Sequence, residues 1–229
     1  MENKSNTAAL FVVATPIGNL EDITLRALRV LKEVDVVLCE DTRMTKKLLG
    51  HYGIETPMLS YHARSGGHKI EKIIALLEEG KNLALVSDAG TPAISDPGAM
   101  LVSEVRSRSD VSIVAVPGPS ALTAALSIAG IPTSDFLFLG FLPHKKGRET
   151  LFTEIADAER AVVFYESPHR ILKTLASLKT HVGNRHVVIL RELTKIYEEV
   201  LEGTAEQLLA RLTDDPQKQR GEFVVIVAP

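Results

Sequence analysis

The chain has 229 residues, enough to bury a sizeable core as one large domain or two modest ones. Hydrophobic residues make up 45% and charged residues 24%, a globular balance that excludes an extensively disordered chain. With 26 basic against 29 acidic side chains the net charge is −3, so any contact with nucleic acid must come from a local basic patch rather than bulk attraction.

The first nine residues are polar and lack the apolar core of a leader peptide. No apolar run approaches the ~20 residues needed to cross a bilayer, and the expectation is a cytoplasmic protein without a membrane partner. Leu10 to Ala14 is a continuous apolar run that reads as a strand buried on both faces. After the turn Thr15-Pro16-Ile17-Gly18-Asn19, the helical spacing of Ile23, Ala27, Val30 and Leu31 predicts a helix with Asp22 as its N-cap. Val34 to Glu40 reads as a second buried strand, and Thr42 to His51 as a short helix ending near Gly53. The single cysteine, Cys39, lies within Val36-Val37-Leu38-Cys39 and reads as a buried core thiol; alone, it rules out an internal disulfide.

Ile70, Ile73, Ile74 and Leu77 form the apolar face of a helix that Gly80 terminates. Leu83 to Ser87 is a strand, Asp88 to Gly98 a long loop punctuated by Gly and Pro, Met100 to Arg108 a helix and Val111 to Val116 a strand. Strands alternating with helices imply parallel pairing and a covered sheet. Pro117-Gly118-Pro119 is the strongest punctuation in the chain, which places a boundary between domains 1–117 and 118–229. Beyond it come a helix from Ser120 to Ala129, a strand from Phe136 to Leu139, and a basic stretch from His144 to Arg148 that leads into a helix. A strand from Ala161 to Tyr165, a helix from His169 to Leu178 and a strand from His186 to Arg191 follow. An extended run from Ile196 to Leu201, a helix from Ala205 to Leu212 and a strand from Glu222 to Val227 complete the chain. Consecutive strands without an intervening helix predict a mixed second sheet.

Ligands of open α/β sheets bind beyond the carboxyl ends of strands. Four loops stand there by this reading: Thr15 to Asp22, Ser87 to Gly98, Pro117 to Ser120 and Tyr165 to Arg170, all but the last rich in Gly and Pro. The motifs of several familiar chemistries are missing, which argues against them. No G-x-G-x-x-G follows the first strand, and no G-x-x-x-x-G-K-[ST], G-x-S-x-G or H-E-x-x-H occurs. The seven histidines show no metal-ligand spacing, so no metal is expected.

Eight segments in order carry a resemblance. They are Ala14 to Thr24 (ATPIGNLEDIT), Glu40 to Arg43 (EDTR), Leu85 to Pro92 (LVSDAGTP), Val116 to Ser120 (VPGPS), Gly140 to Pro143 (GFLP), Phe164 to Ser167 (FYES), Arg191 to Lys195 (RELTK) and Gly221 to Val227 (GEFVVIV). Together they resemble the ribosomal RNA small subunit methyltransferase I family, within the tetrapyrrole-methylase-fold methyltransferases, from about Leu10 to Val227. The resemblance implies a two-domain α/β fold with a parallel-rich N-terminal sheet, a mixed C-terminal sheet and a cofactor cleft between them. It implies S-adenosylmethionine as cofactor, the ribose 2′-hydroxyl of a cytidine in 16S (small-subunit) ribosomal RNA as acceptor, action on the ribosomal subunit, and a homodimer. Relatives of this kind usually continue past the final strand into a small basic helical segment. The sequence ends at Pro229, and if that segment grips RNA, weaker RNA binding is expected.

By motif position the resemblance implies that Pro16, Ile17, Thr91 and Ile94 contact the cofactor. Ser120 and Ala121 would meet its homocysteine part, and Tyr165, Phe223 and Val224 would pack around the adenine. A ribose hydroxyl must lose a proton, and Asp88, Glu166, Glu192 and Lys195 at strand ends are the candidates for that step. Glu166 and Glu192 equally read as structural ions paired with Arg170 and Arg191. For RNA, Arg43, Lys46 and Lys47 form one basic cluster and His144, Lys145, Lys146 and Arg148 another, unless these are merely solvated charge runs. Two other functions stay open: methylation of a small tetrapyrrole, whose enzymes tend to carry a Gly-rich first loop, and a non-catalytic cofactor-binding module.

Overall fold

The computed structural model describes residues 8–62 and 66–229. The polar stretch that argues against a leader therefore lies, through Thr7, outside the described residues. The chain divides into two compact units, Met1–Ser120 and Ala121–Pro229, three residues beyond the expected Pro117/Gly118 boundary. Residues 118–119 stay with the first unit for a local reason. The Thr91 hydroxyl donates to the Pro119 carbonyl at 3.2 Å, and Gly118 packs so close to Ala14 that a Cβ there would sit 3.1 Å from the Ala14 Cβ, tighter than an ordinary contact.

The first unit is a five-stranded parallel sheet made of β1 (Ala9–Val13), β2 (Val36–Cys39), β3 (Met58–Ser60), β4 (Leu83–Leu85) and β5 (Ser112–Val116). The strand order is β3-β2-β4-β1-β5, so β4, β1 and β5 lie side by side although far apart in sequence. The short edge strand β3 does not follow from the apolar pattern; it pairs only Met58, Leu59 and Ser60 against β2. Helices α1 (Leu25–Glu33) and α2 (Thr42–His51) cover one face, with Ala27, Val30, Leu31 and Leu49 packed on Val13, Val37, Cys39 and Val86. On the other face, α3 (Gly67–Glu78) and α4 (Ala99–Arg108) set Ile70, Ile73, Leu77, Leu101 and Val105 against Leu10, Leu38, Leu83 and Leu85. A sheet buried on both faces explains the unbroken apolar runs of its inner strands. Cys39 is fully buried among them, and burial pushes its thiol up.

Asp22 does not cap α1. It ends a short 3-10 turn, Leu20–Asp22, and Thr24 takes the cap, accepting the Ala27 amide at 3.1 Å. The turn shifts the helix start by two residues, which spacing alone cannot reveal.

The second unit opens with α5 (Ala121–Ile128) and holds a mixed sheet of β6 (Phe136–Phe141), β7 (Ala161–Glu166), β8 (His186–Arg191), β9 (Glu199–Thr204) and β10 (Phe223–Val227). Its order is β6-β7-β10-β8-β9; only β6 and β7 pair in parallel. Helices α6 (Arg148–Asp157), α7 (Ile171–Val182) and α8 (Ala205–Asp214) bury Phe152, Ile155, Leu175, Leu178, Leu208 and Leu212 on one face, against Phe164, Ile189, Phe223 and Val225. No helix among the described residues is long and apolar enough to cross a membrane.

Candidate active site

In the first unit, β1, β4 and β5 end at one edge, and their three following loops are knitted together there. Thr15 and Gly90 exchange backbone hydrogen bonds of 2.9 and 3.0 Å, and the Thr15 hydroxyl donates to the Ser87 carbonyl at 3.1 Å. The Ala14 amide reaches the Val116 carbonyl at 3.2 Å, and Thr91 closes the set through Pro119. Four cofactor candidates thus share this edge: Pro16 is buried, Ile17 and Thr91 half-buried, and Ile94 is 45% exposed. Ile94 sits between Ala93 (φ 68°) and Ser95 (φ 63°), two non-glycine residues in the left-handed region. Each such residue costs on the order of 1–2 kcal/mol, and strain of this kind persists where a loop's shape serves a function. Here it holds an apolar side chain out into solvent. Ser120 ends this unit half-buried, and Ala121 begins α5 of the next.

Carboxylates gather at the same edge. The Asp88 side chain accepts the Asp41 amide at 3.1 Å. Asp96, which motif reasoning did not single out, is half-buried; burial first, then the Glu40 and Asp88 charges, push its carboxyl up to about 6, against a hydrogen bond from Ser87 that lowers it. Burial likewise raises Glu40, with Asp88 adding to it and His62 opposing. Asp96 has a sequence signal in hindsight, an acid inside the Gly/Pro-rich loop after β4, but only the fold brings Glu40 beside it. No cluster of His, Cys, Asp or Glu among the described residues could hold a metal ion.

In the second unit, β7 and β6 end together, and antiparallel β10 begins beside them with Val224 opposite Tyr165 and Phe223 opposite Glu166. The three expected adenine-wall residues therefore do not share a face. Tyr165, edge-on to Phe138 at 5.1 Å, lies on the Val224 face, whereas the Phe223 side chain is committed to the helix-covered core. Phe223 is corrected from wall to core, because pairing alternation turns neighbouring side chains to opposite faces.

For Glu166 the structure favours the alternative reading, a structural ion paired with Arg170, over a proton acceptor. Its side chain is fully buried, paired with Arg170 at 2.8 Å and accepting from Thr174 at 2.6 Å, so it is sequestered from an acceptor hydroxyl. Glu192 does not pair with Arg191, which lies 3.8 Å from Glu199 and spends three donors on backbone carbonyls. Instead Glu192 accepts from Lys195 at 2.8 Å, and Lys195 also reaches Glu222 at 2.9 Å. Burial would raise the Glu192 carboxyl, but the Lys195 and Glu222 bonds hold it below the usual carboxylate range; burial would lower Lys195, but its two carboxylates hold it above. Glu192 (φ 53°) and Thr194 (φ 65°) are both left-handed, and a Cβ on Gly221 would lie 2.6 Å from the Glu192 carboxyl.

Of the basic candidates, Lys46, Lys47, His144, Lys145 and Lys146 are exposed. Arg43 is exposed but bonded to Asp41 at 2.6 Å, which holds that acid at about 2. Arg148 is the exception. Only 4% exposed, it turns inward onto Pro143 and Thr174, so its place in an RNA-facing set is withdrawn. A charged residue flanking a basic loop reads as surface until the helix it starts buries it.

A model of the tetrapyrrole (corrin/porphyrin) methylases matches residues 9–209, and the two-sheet architecture is that of this methyltransferase class. Diphthine synthase superposes with a TM-score of 0.74 at 14% identity, covering 96% of this chain and 90% of that one. A cobalt precorrin-4 methyltransferase does so at 0.70 and 19%, covering 100% and 97%; both likenesses concern the fold alone. A Thermotoga maritima protein named ribosomal RNA small subunit methyltransferase I is 46% identical over 219 residues, 96% of this chain and 97% of the relative. One of that name from Xylella fastidiosa is 48% identical, covering 97% of this chain and 82% of the relative. The chain belongs to the ribosomal RNA small subunit methyltransferase I family of tetrapyrrole methylases.

The family's methyl donor is S-adenosylmethionine. The first unit's edge fits such a group: apolar Ile17 and Ile94 stand beside loops of Gly and Pro that bring backbone groups close. In the second unit, the Tyr165 and Val224 side chains share one face of the sheet, Val224 buried and Tyr165 half-buried.

Proposed function

We propose that this protein methylates the ribose 2′-hydroxyl of a cytidine in 16S ribosomal RNA, with S-adenosylmethionine as donor. The observation that carries the reading is the 46% identity to the Thermotoga relative across nearly the whole of both chains. The same reading places the reaction on the small ribosomal subunit in the cytoplasm, and has two copies of the chain act together.

When bound, the cofactor supplies a methyl already activated on a sulfonium, so the chain's work is to orient the acceptor and remove a proton. Pro16, Ile17, Thr91, Ile94, Ser120, Ala121, Tyr165 and Val224 are proposed to hold the donor, with Phe223 backing Val224 from the core. Among the acids, Asp96 is proposed to take the hydroxyl proton onto its carboxylate, because a base set near neutrality suits the task. Asp88, fixed against the Asp41 amide, shapes its surroundings, and the Lys195–Glu192 pair holds the turn after β8. Arg43, Lys46, Lys145 and Lys146 are proposed to meet phosphates.

The test is twofold. Ribosomal RNA from cells with and without the gene is mapped for 2′-O-methylation by primer extension at low nucleotide concentration. The purified protein is then given labelled donor and small subunits from the deleted cells. One ribose mark lost and restored is expected; a base methyl, or no transfer to subunits, would sink the reading.

A further inference from the structure

Between β6 and α6 runs a short loop, Leu142 to Gly147, whose His144, Lys145 and Lys146 are exposed. Both ends of this loop are fastened to one buried carboxylate on a different strand. At its start, the Leu142 carbonyl accepts from Arg170 at 2.7 Å and the Pro143 carbonyl from Arg148 at 3.2 Å. At its end, Arg148 itself opens α6, and its amide returns to the Lys145 carbonyl at 3.2 Å.

Glu166 holds both guanidiniums. Arg170 pairs with it at 2.8 Å, and Arg148 reaches it through Thr174, donating to the Thr174 hydroxyl at 2.7 Å, which donates to Glu166 at 2.6 Å. The Ser167 amide donates at 2.7 Å to the same Glu166 oxygen that Arg170 holds, fixing the turn after β7 as well. Arg148 also lies over the Phe152 ring at 5.0 Å.

A buried ion cluster of this kind is by itself weak evidence for stability. Two guanidiniums share one carboxylate out of water, and the Arg148 Nε is buried without a hydrogen-bond partner. Desolvation lowers the Arg148 pKa, with Arg170 adding to the lowering against Glu166. Buried ion clusters are often replaceable by apolar packing without loss of stability, and in some proteins what they supply is a fixed geometry. What this cluster fixes geometrically is the backbone that carries three basic side chains.

We propose that Glu166, Thr174, Arg148 and Arg170 form a positioning cluster that presets the His144–Lys146 loop as a rigid grip for the phosphates of the RNA acceptor. This rests on the RNA reading above. A loop already in its bound shape loses less conformational freedom on binding, so the lysines hold phosphate more tightly than they would on a free loop. None of the four residues need touch RNA.

The full-length chain carrying Thr174→Val tests this: the change keeps shape but cuts the relay from Arg148 to Glu166. Arg148→Lys, which keeps the charge but not the paired bonds, is the second variant, and Thr174→Ser the conservative rescue. Hydrogen exchange is read at the amides of residues 144–148. Methyl transfer to small ribosomal subunits from gene-deleted cells gives KM and kcat. The expected result is faster exchange and a roughly five- to tenfold higher KM for subunits, with kcat and donor affinity within about twofold. Thr174→Ser should restore both readouts. Added to Lys145→Ala/Lys146→Ala, Thr174→Val should raise KM no further. Unchanged exchange, a fall in kcat at constant KM, or a full Thr174→Val effect without the lysines overturns the proposal. If the parent protein transfers no methyl to subunits, the acceptor reading falls instead, and exchange in the variants still decides whether the cluster sets the loop.

Discussion

Asp96 and Gly221 make opposite kinds of prediction at the scale of single residues. Asp96 is raised to about 6, so it becomes a competent proton acceptor only as pH rises through that value. The rate of methyl transfer should climb between pH 5 and pH 7 and then level. Asp96→Asn should lower kcat roughly 10²–10⁴-fold at pH 7.5 and abolish the climb. Linkage separates this from unfolding. A carboxyl raised in the folded state stabilises the fold below its unfolded pKa, and that contribution is lost as pH rises through about 6. Asp96→Asn should therefore melt no lower than the parent at pH 8. Gly221, at φ 102°, faces the Glu192 carboxyl so closely that a Cβ would lie 2.6 Å away. Gly221→Ala should cost about 1–3 kcal/mol in urea unfolding, since strained backbone and a displaced ion pair add. A cost below about 0.5 kcal/mol would mean that the Glu192 turn is soft.

The helix caps show how elements start. Thr24 accepts the Ala27 amide at 3.1 Å, and Thr204 and Gln207 form a reciprocal capping box on α8. Thr24→Ala should lower stability by about 1 kcal/mol, whereas Asp22→Ala should change it little because Asp22 caps nothing. Equal effects of the two would place the cap where spacing put it. The buried strands β1, β7, β8 and β10 were legible because long apolar runs survive any register. β3 was not, since three half-buried residues at a sheet edge leave no pattern. Glu166 and Arg148 were legible as charged residues near strand and helix ends, but not as buried ones. Direction depends on what α7 brings against them, namely Thr174.

For the molecule as a whole, donor binding should appear as stability. Saturating S-adenosylhomocysteine, at about 100 times its Kd, should add ~2.7 kcal/mol and raise the melting temperature by about 5–10 °C. No shift at millimolar ligand would mean the loop edges do not form a donor site. With a net charge of −3, any attraction for RNA has to be local rather than a property of the whole chain.

Much of the architecture was set by local chemistry that the chain carries in its order of residues. Apolar runs, Gly/Pro loops and helical spacing are short-range signals, and they determine alternating elements, a parallel first sheet and a mixed second one. The tertiary structure alone decided which loops meet. Strand order puts β4, β1 and β5 side by side, brings Glu40 to Asp96, turns Phe223 into the core and folds Arg148 beneath the basic loop. Those outcomes hinge on pairing between segments dozens of residues apart, where side-chain direction and burial are fixed by partners that no local pattern names.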